Sequence, residues 1–203
     1  MQNKEVAIII LAAGKSSRMG NEIKQLLAWK QTTLLESTII QAQNSLANDV
    51  YVVLGAYEES IKNIVNVHDS FCVYNKEWEK GMGSSIATAM KTIKQKKIEY
   101  DAILIMLSDQ PLIDSEYLNK IIKCWKINKD RIIATDYKGR AGVPAIFTEK
   151  YFKELNKLDD DFGAKEILKQ HRQMLICLDP EGKEIDIDNW HAYQAIVKKY
   201  TSI

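Results

Sequence analysis

Residues 6–20 read Val-Ala-Ile-Ile-Ile-Leu-Ala-Ala-Gly-Lys-Ser-Ser-Arg-Met-Gly, and the change of character part-way along decides the fold. From Val6 to Leu11 every residue is apolar and three of the six are Ile, which suits a strand buried on both faces of a parallel sheet. Past Ala12 and Ala13 the only apolar residue is Met19. That stretch is therefore a loop at the carboxyl end of the strand, where open α/β sheets bind their ligands.

The loop has the chemistry of an anion cradle. Small residues let the backbone approach an anion closely, and the N–H groups of such a turn can converge on it. Leu11, Ala12, Ala13, Gly14, Lys15, Ser16, Ser17 and Arg18 are thus candidates to hold the phosphates of a nucleotide, with Lys24 adding charge six residues after Arg18. A P-loop is excluded, because its first glycine would fall at Ile9 inside the strand. The dinucleotide fingerprint also fails, since Gly81-Met82-Gly83 would need a third glycine where Ile86 stands. A strand followed by a plain basic surface loop is the alternative.

The remainder of the chain alternates strand and helix. Leu34 to Leu46 has helical spacing, Val50 to Leu54 reads as a buried strand, Glu58 to Val67 as a short helix and Phe71 to Tyr74 as a third strand. Such alternation predicts a parallel sheet with right-handed crossovers. Asn75 to Ser85 (NKEWEKGMGSS) leaves a strand end and opens a helix expected from Ser84 to about Lys94. There, Gly83 and Ser84 either present amides to a nucleobase, or Ser84 or Ser85 simply caps the helix.

Asp101 to Leu107 is a further buried strand ending in Ser108-Asp109-Gln110-Pro111. Pro111 cannot continue a ladder, so Asp109 sits at the tip. A carboxylate beside a polyanion is repelled unless a cation lies between them, and Mg²⁺ takes one or two carboxylates plus phosphate oxygens; Asp109 is therefore a candidate Mg²⁺ ligand.

A helix from Ser115 to Ile127 follows, capped by Asp114 and Ser115, and then a strand over Arg131 to Thr135. Tyr137 to Val143 reads as a glycine-containing polar loop in which Arg140 meets an anionic substrate or is solvated. An extended piece at Pro144 to Phe147, helices at Lys150 to Leu158 and from Ala164 to Gln170, and a strand over Gln173 to Leu178 come next. Asp159, Asp160 and Asp161 bind a cation or form an acidic loop capping the Ala164 helix. Asp186 and Asp188, at alternate positions of an extended segment before a helix from Asn189 to Tyr200, offer a second carboxylate for the metal.

Composition bounds the class. A chain of 203 residues with 46% hydrophobic and 27% charged residues can build one substantial core. Lys and Arg number 28 against 27 Asp and Glu, which argues against a dedicated nucleic-acid binder. The longest apolar run, Val6 to Ala13, is too short to span a bilayer, and no signal peptide is evident, so a soluble cytoplasmic protein without a membrane partner is expected. Cys72, Cys124 and Cys177 are odd in number and widely spaced, as expected of reduced thiols. His68, His171 and His191 have no ligand spacing, and no G-x-S-x-G elbow supports acyl-enzyme chemistry.

LAAGKSSRMG with Lys24-Gln25-Leu26-Leu27 behind it resembles the signature of the nucleotidyltransferases that activate sugars, polyols and cofactors with a nucleoside triphosphate. Further matches point to the molybdenum-cofactor branch, especially the molybdopterin cytidylyltransferases. They are Asn75, Trp78, Gly81 and Ser85; Ser108-Asp109-Gln110-Pro111; Gly142-Val143-Pro144; and Asp161-Phe162-Gly163-Ala164 with Asp186-Ile187-Asp188. The resemblance runs from residue 6 to about residue 192. It implies a Rossmann-like single domain over residues 1–203, with a mostly parallel sheet flanked by helices.

It further implies Arg18, Lys24 and Asp109 as catalytic residues and Asp109 with Asp188 as Mg²⁺ ligands. The nucleotide would be held by the first loop, Lys24, Gly83, Ser84 and Ser108. The acceptor would meet Asn75, Trp78, Gly81, Ser85, Arg140 and Gly142. CTP and molybdopterin are the implied substrates, with a molybdenum hydroxylase as the transient recipient of the product. Ala13 stands where the guanylyl branch resembles LAGG, which favours CTP over GTP. Lys165 replaces a usual Arg, Asn189-Trp190-His191 replaces Thr-Pro-Glu, and Gln31 replaces a common glycine, all on the cofactor side of the comparison. Two alternatives stay open, a cytidylyl- or uridylyltransferase acting on a sugar or polyol phosphate, and a molybdenum-cofactor carrier without turnover.

Overall fold

The computed structural model describes residues 4–20, 22–67, 70–159 and 161–200. The opening apolar run forms β1 (Lys4–Ala12). A two-strand hairpin, β2 (Ala28–Trp29) and β3 (Thr32–Thr33), leads into β4 (Asp49–Leu54), β5 (Phe71–Tyr74), β6 (Tyr100–Leu107), β7 (Ile132–Asp136), β8 (Ala141–Thr148) and β9 (Leu175–Leu178). Apart from the hairpin, these strands make one sheet in the order β5-β4-β1-β6-β8-β7-β9. β1 lies between β4 and β6, parallel to both, with Ile8 opposite Val50 on one side and Leu104 on the other.

The helices are α1 (Leu34–Gln43), α2 (Glu58–Ile64), α3 (Met82–Gln95), α4 (Ser115–Ile127), α5 (Phe152–Leu155), α6 (Ala164–Gln170) and α7 (Trp190–Tyr200). Alternation along β1 explains why its run is unbroken. Val6, Ile8 and Ile10 pack with Leu35 and Ile39 of α1 and Ile121 and Trp125 of α4. Ala7, Ile9 and Leu11 pack on the opposite face with Ile86 and Met90 of α3 and Ile167 and Leu168 of α6. A strand covered on both sides has no position for a polar side chain. A smaller cluster joins Met19, Leu27 and Trp29 to Ile187 and Ile196, tying the first loop to the segment before α7. Among the described residues no helix is long and apolar enough to cross a membrane.

Several boundaries differ from expectation. β8 is antiparallel to both β6 and β7, the one reversal in an otherwise parallel sheet. The reason is local: Tyr137 and Arg140 exchange backbone hydrogen bonds, while Lys138 (φ 54°) and Gly139 (φ 87°) both take positive φ. That is the two-residue hairpin turn, too short for a parallel crossover. The loop read over Tyr137 to Val143 therefore ends at Arg140, and its last three residues belong to β8. The helix expected from Ser84 begins two residues earlier, after Gly81. α6 is preceded by Gly163 with no side-chain cap, so the aspartates before it do not cap it by that route, and Asp160 lies outside the described residues, as does His68.

Candidate active site

With every strand but β8 parallel, the loops after β1, β4, β5 and β6 emerge at one edge of the sheet. The first of these is shaped by Gln25, which is 3% exposed. Its Nε2 donates to the carbonyls of Ala12 (2.9 Å) and Gly14 (3.1 Å), and its Oε1 accepts from the Ser16 hydroxyl (3.1 Å). The same hydroxyl accepts from the backbone N–H of Lys24 at 3.2 Å. Two carbonyls that would otherwise repel an anion are thus bound to an amide, and Ser16 is set in the left-handed region at φ 57°. Gly55 permits a close approach here: a Cβ on it would fall 2.6 Å from the Ala13 carbonyl oxygen and 2.7 Å from the Trp78 Cβ.

The loop after β5 is organised by Asn75, 1% exposed. Its Nδ2 donates to the hydroxyls of Ser84 (2.9 Å) and Ser85 (3.0 Å), and its Oδ1 accepts from the Glu77 N–H (3.0 Å). Gly81, at φ 103° and ψ −169°, breaks the chain direction so that α3 starts at Met82. Ser84 does not cap the helix; its hydroxyl donates back to the Gly81 carbonyl at 2.8 Å. Gly83 and Ser84 instead lie in the first helical turn, whose N–H groups have no intrahelical partner.

At the tip of β6, Asp109 meets Lys24, with Nζ 2.6 Å from Oδ2 and the two side chains 19% and 15% exposed. Asp109 Oδ1 is buried and has no hydrogen-bond partner. The Asp109 carbonyl accepts from the Ile187 N–H at 2.9 Å, which brings the Asp186–Asp188 segment to the same point. Asp188 is exposed, 4.0 Å from the guanidinium of Arg18. Asp186 turns to Gln110, accepting from its Nε2 at 2.8 Å. Burial pushes the Asp186 carboxyl above the usual carboxylate range, the Gln110 hydrogen bond opposing and the charges of Asp109 and Asp188 reinforcing.

Together these elements enclose a cleft of about 340 Å³ lined by Leu11, Ala12, Ala13, Gly14, Lys15, Ser16, Lys24, Trp78, Gly81, Ser85, Ser108 and Asp109 from among the candidates. Ser17, Arg18 and Asp188 do not line it, and neither do Asn75, Gly83 and Ser84, which are buried behind Ser85. Arg140 and Gly142 line a second cavity of about 620 Å³, which shares Leu11, Met82 and Leu107 with the first. Gly142 makes room for an aromatic ring, since a Cβ on it would fall 2.6 Å from the Tyr137 ring.

Sequence reasoning omitted Gln25 and Gln110 from the site, and Lys165, Lys169 and Arg172 from the second cavity. Gln25 and Gln110 carried a signal in their places within the Lys24-Gln25-Leu26-Leu27 and Ser108-Asp109-Gln110-Pro111 matches, and Lys165 in standing where the family usually has Arg; Lys169 and Arg172 carried none.

The first cleft holds Glu79, Asp109 and Asp161 against Lys15 and Lys24, so a polyanion entering it needs a further cation. Among the described residues no group of three His, Cys, Asp or Glu side chains could hold a metal. The donor set here is instead that of Mg²⁺, which binds through one or two carboxylates and substrate oxygens. The unpartnered Asp109 Oδ1 fits such an ion.

Residues 8–174 match the model of the MobA-like NTP transferase domain. The chain belongs to this family. The matched family is one of NTP transferases.

Among curated proteins, the bifunctional protein GlmU of Francisella tularensis is 24% identical over 170 residues, 83% of this chain and 36% of the relative. The chain therefore spans about a third of the length of the curated relatives it matches. Rv0371c from Mycobacterium tuberculosis superposes with a TM-score of 0.83 at 25% identity, covering 98% of this chain and 100% of that one. The same protein has been solved in complex with manganese, at a TM-score of 0.78 and 22% identity over 97% and 100% of the two chains. CTP:phosphocholine cytidylyltransferase from Streptococcus pneumoniae shares the fold, at a TM-score of 0.71 and 16% identity over 96% and 99% of the chains.

Proposed function

We propose that this chain transfers CMP from CTP to the terminal phosphate of molybdopterin, releasing pyrophosphate with Mg²⁺ as cofactor. The observation that carries the reading is Asp109: one carboxylate oxygen held by Lys24, the other buried and unpartnered, at the mouth of a cleft walled by the LAAGKS loop. Asp109 and Asp188 would hold the Mg²⁺, which supplies charge neutralisation on the transferring phosphoryl group. Manganese in the Rv0371c complex supports a divalent ion in the fold.

The protein's own part is positioning. The loop set by Gln25 receives the triphosphate, and Lys24 and Lys15 offset its charge. Asn75 holds the first turn of α3 through the Ser84 and Ser85 hydroxyls, and Gly81, Met82 and Ser85 of that segment, which line the cleft, would meet the base. A phosphomonoester has its second pKa at about 6, so the acceptor arrives already ionised and no general base is required. Transfer then depends on in-line geometry and on groups placed where charge develops. Ala13 favours CTP, and the pneumococcal neighbour's name shows that the fold accommodates that nucleotide. A sugar or polyol phosphate as acceptor is the second reading, supported by the GlmU relatives.

The test is pyrophosphate release by the purified chain with Mg²⁺ and freshly prepared molybdenum cofactor, comparing CTP, GTP, ATP and UTP. Release with CTP alone is expected, and Asp109→Asn is expected to lose about 10²-fold or more in turnover while keeping its fold. Preference for GTP moves the chain to the guanylyl branch. Silence with all four and an intact cofactor overturns the reading in favour of sugar or polyol phosphates, and binding without release favours a carrier.

A further inference from the structure

The two cavities carry opposite charge. Where the nucleotide cleft is lined by more carboxylates than ammonium groups, the second cavity is lined by Arg140, Lys165, Lys169 and Arg172, with Asp186 as its one carboxylate among the described residues. None of the four cationic side chains meets a carboxylate among the described residues. Unpaired cations converging on one concave surface raise the local concentration of anions there.

Their placement matters as much as their number. Asp186 and Gln110 stand at the Asp109 end, joined to it through the Asp109–Ile187 backbone bond. Lys165 and Lys169 lie four residues apart on α6, and Arg172 follows in the turn after it, so this cluster belongs to a different wall from the reacting centre. Gln110 is 1% exposed, and its Oε1 is buried without a partner.

We infer that the second cavity binds the acceptor as a polyanion: the phosphomonoester that reacts carries a further anionic group on its body, and Lys165, Lys169 and Arg172 hold that group. The unpartnered Gln110 Oε1 accepts from a hydroxyl or ring N–H of the same molecule. This rests on reading the adjacent cleft as the nucleotide site. It excludes acceptors with a cationic body, such as phosphocholine.

Calorimetric titration of the full chain without nucleotide tests this, using 3-phosphoglycerate (phosphate and carboxylate), glycerol 3-phosphate (phosphate alone) and phosphocholine (phosphate and quaternary ammonium). The phosphate-carboxylate probe should bind about tenfold tighter than glycerol 3-phosphate, the combined effect of three surface ion pairs, with phosphocholine weakest. The advantage should shrink as salt is raised. K165Q/K169Q/R172Q, whose substituted side chains are exposed, should erase the advantage while its melting transition stays that of the parent.

Equal affinities, an advantage that survives in the triple variant, or no binding of any probe would overturn the inference. Because no turnover is involved, failure of the CTP reaction would strike the proposed function and leave this ordering standing.

Discussion

Gln25 does with one side chain what the loop's own backbone cannot: it supplies donors to the Ala12 and Gly14 carbonyls from a position 11 to 13 residues away. Gln25→Leu removes the donor from the buried Ala12 carbonyl and from the Gly14 carbonyl beside it. The expected cost is about 1–3 kcal/mol of stability, read by denaturant unfolding, together with weaker nucleotide binding read by titration. Gln25→Glu should be no better, because a carboxylate cannot donate. Asn75 and Ser84 teach the complementary lesson. A polar loop residue and a serine before a helix look like ligand contacts in sequence, yet both side chains are buried and bonded to each other. Residue identity shows what a group is able to bind; burial decides whether it still has the capacity free.

At the scale of elements, the start of α3 is set by Gly81 rather than by a serine cap. Its φ of 103° is open to glycine and strained for any other residue. Gly81→Ala should cost roughly 1–3 kcal/mol and shift the first turn of α3, so nucleotide affinity should fall more than the residue's size suggests. Thermal melts with and without nucleotide check this: a stabilisation by nucleotide equal to that of the parent would sink the idea. The reversal of β8 is the element-scale feature that sequence reading missed, because Lys138 in a left-handed turn position has no propensity signal of its own. By contrast α4 began and ended where its apolar spacing and Asp114 placed it, with the Asp114 carboxylate accepting from the Tyr117 N–H.

For the molecule as a whole, stability should be sensitive to alkali. Burial raises the phenols of Tyr51, Tyr100, Tyr117 and Tyr137, with Tyr117 pushed up to about 12. The folded chain keeps these protons while the unfolded chain loses them near pH 10, so unfolding releases protons and stability falls as pH rises from about 10 through 12. The Tyr117 contribution is fully present below pH 10, and its loss amounts to roughly 3 kcal/mol; urea midpoints between pH 8 and 12 measure it, and a flat profile would contradict the burial. Apolar runs such as Val6–Leu11 and the small-residue loop behind them determined the strands, their alternation with helices and the edge at which the cleft-forming loops emerge, because periodicity and backbone freedom act locally. Only the tertiary structure decided which polar groups meet there. Lys24 reaches Asp109 across 85 residues of chain. Ile187 bonds to the Asp109 carbonyl, and four cations gather around one cavity. Such pairings follow from strand order and from where the chain reverses, and neither is encoded in the spacing of residues along it.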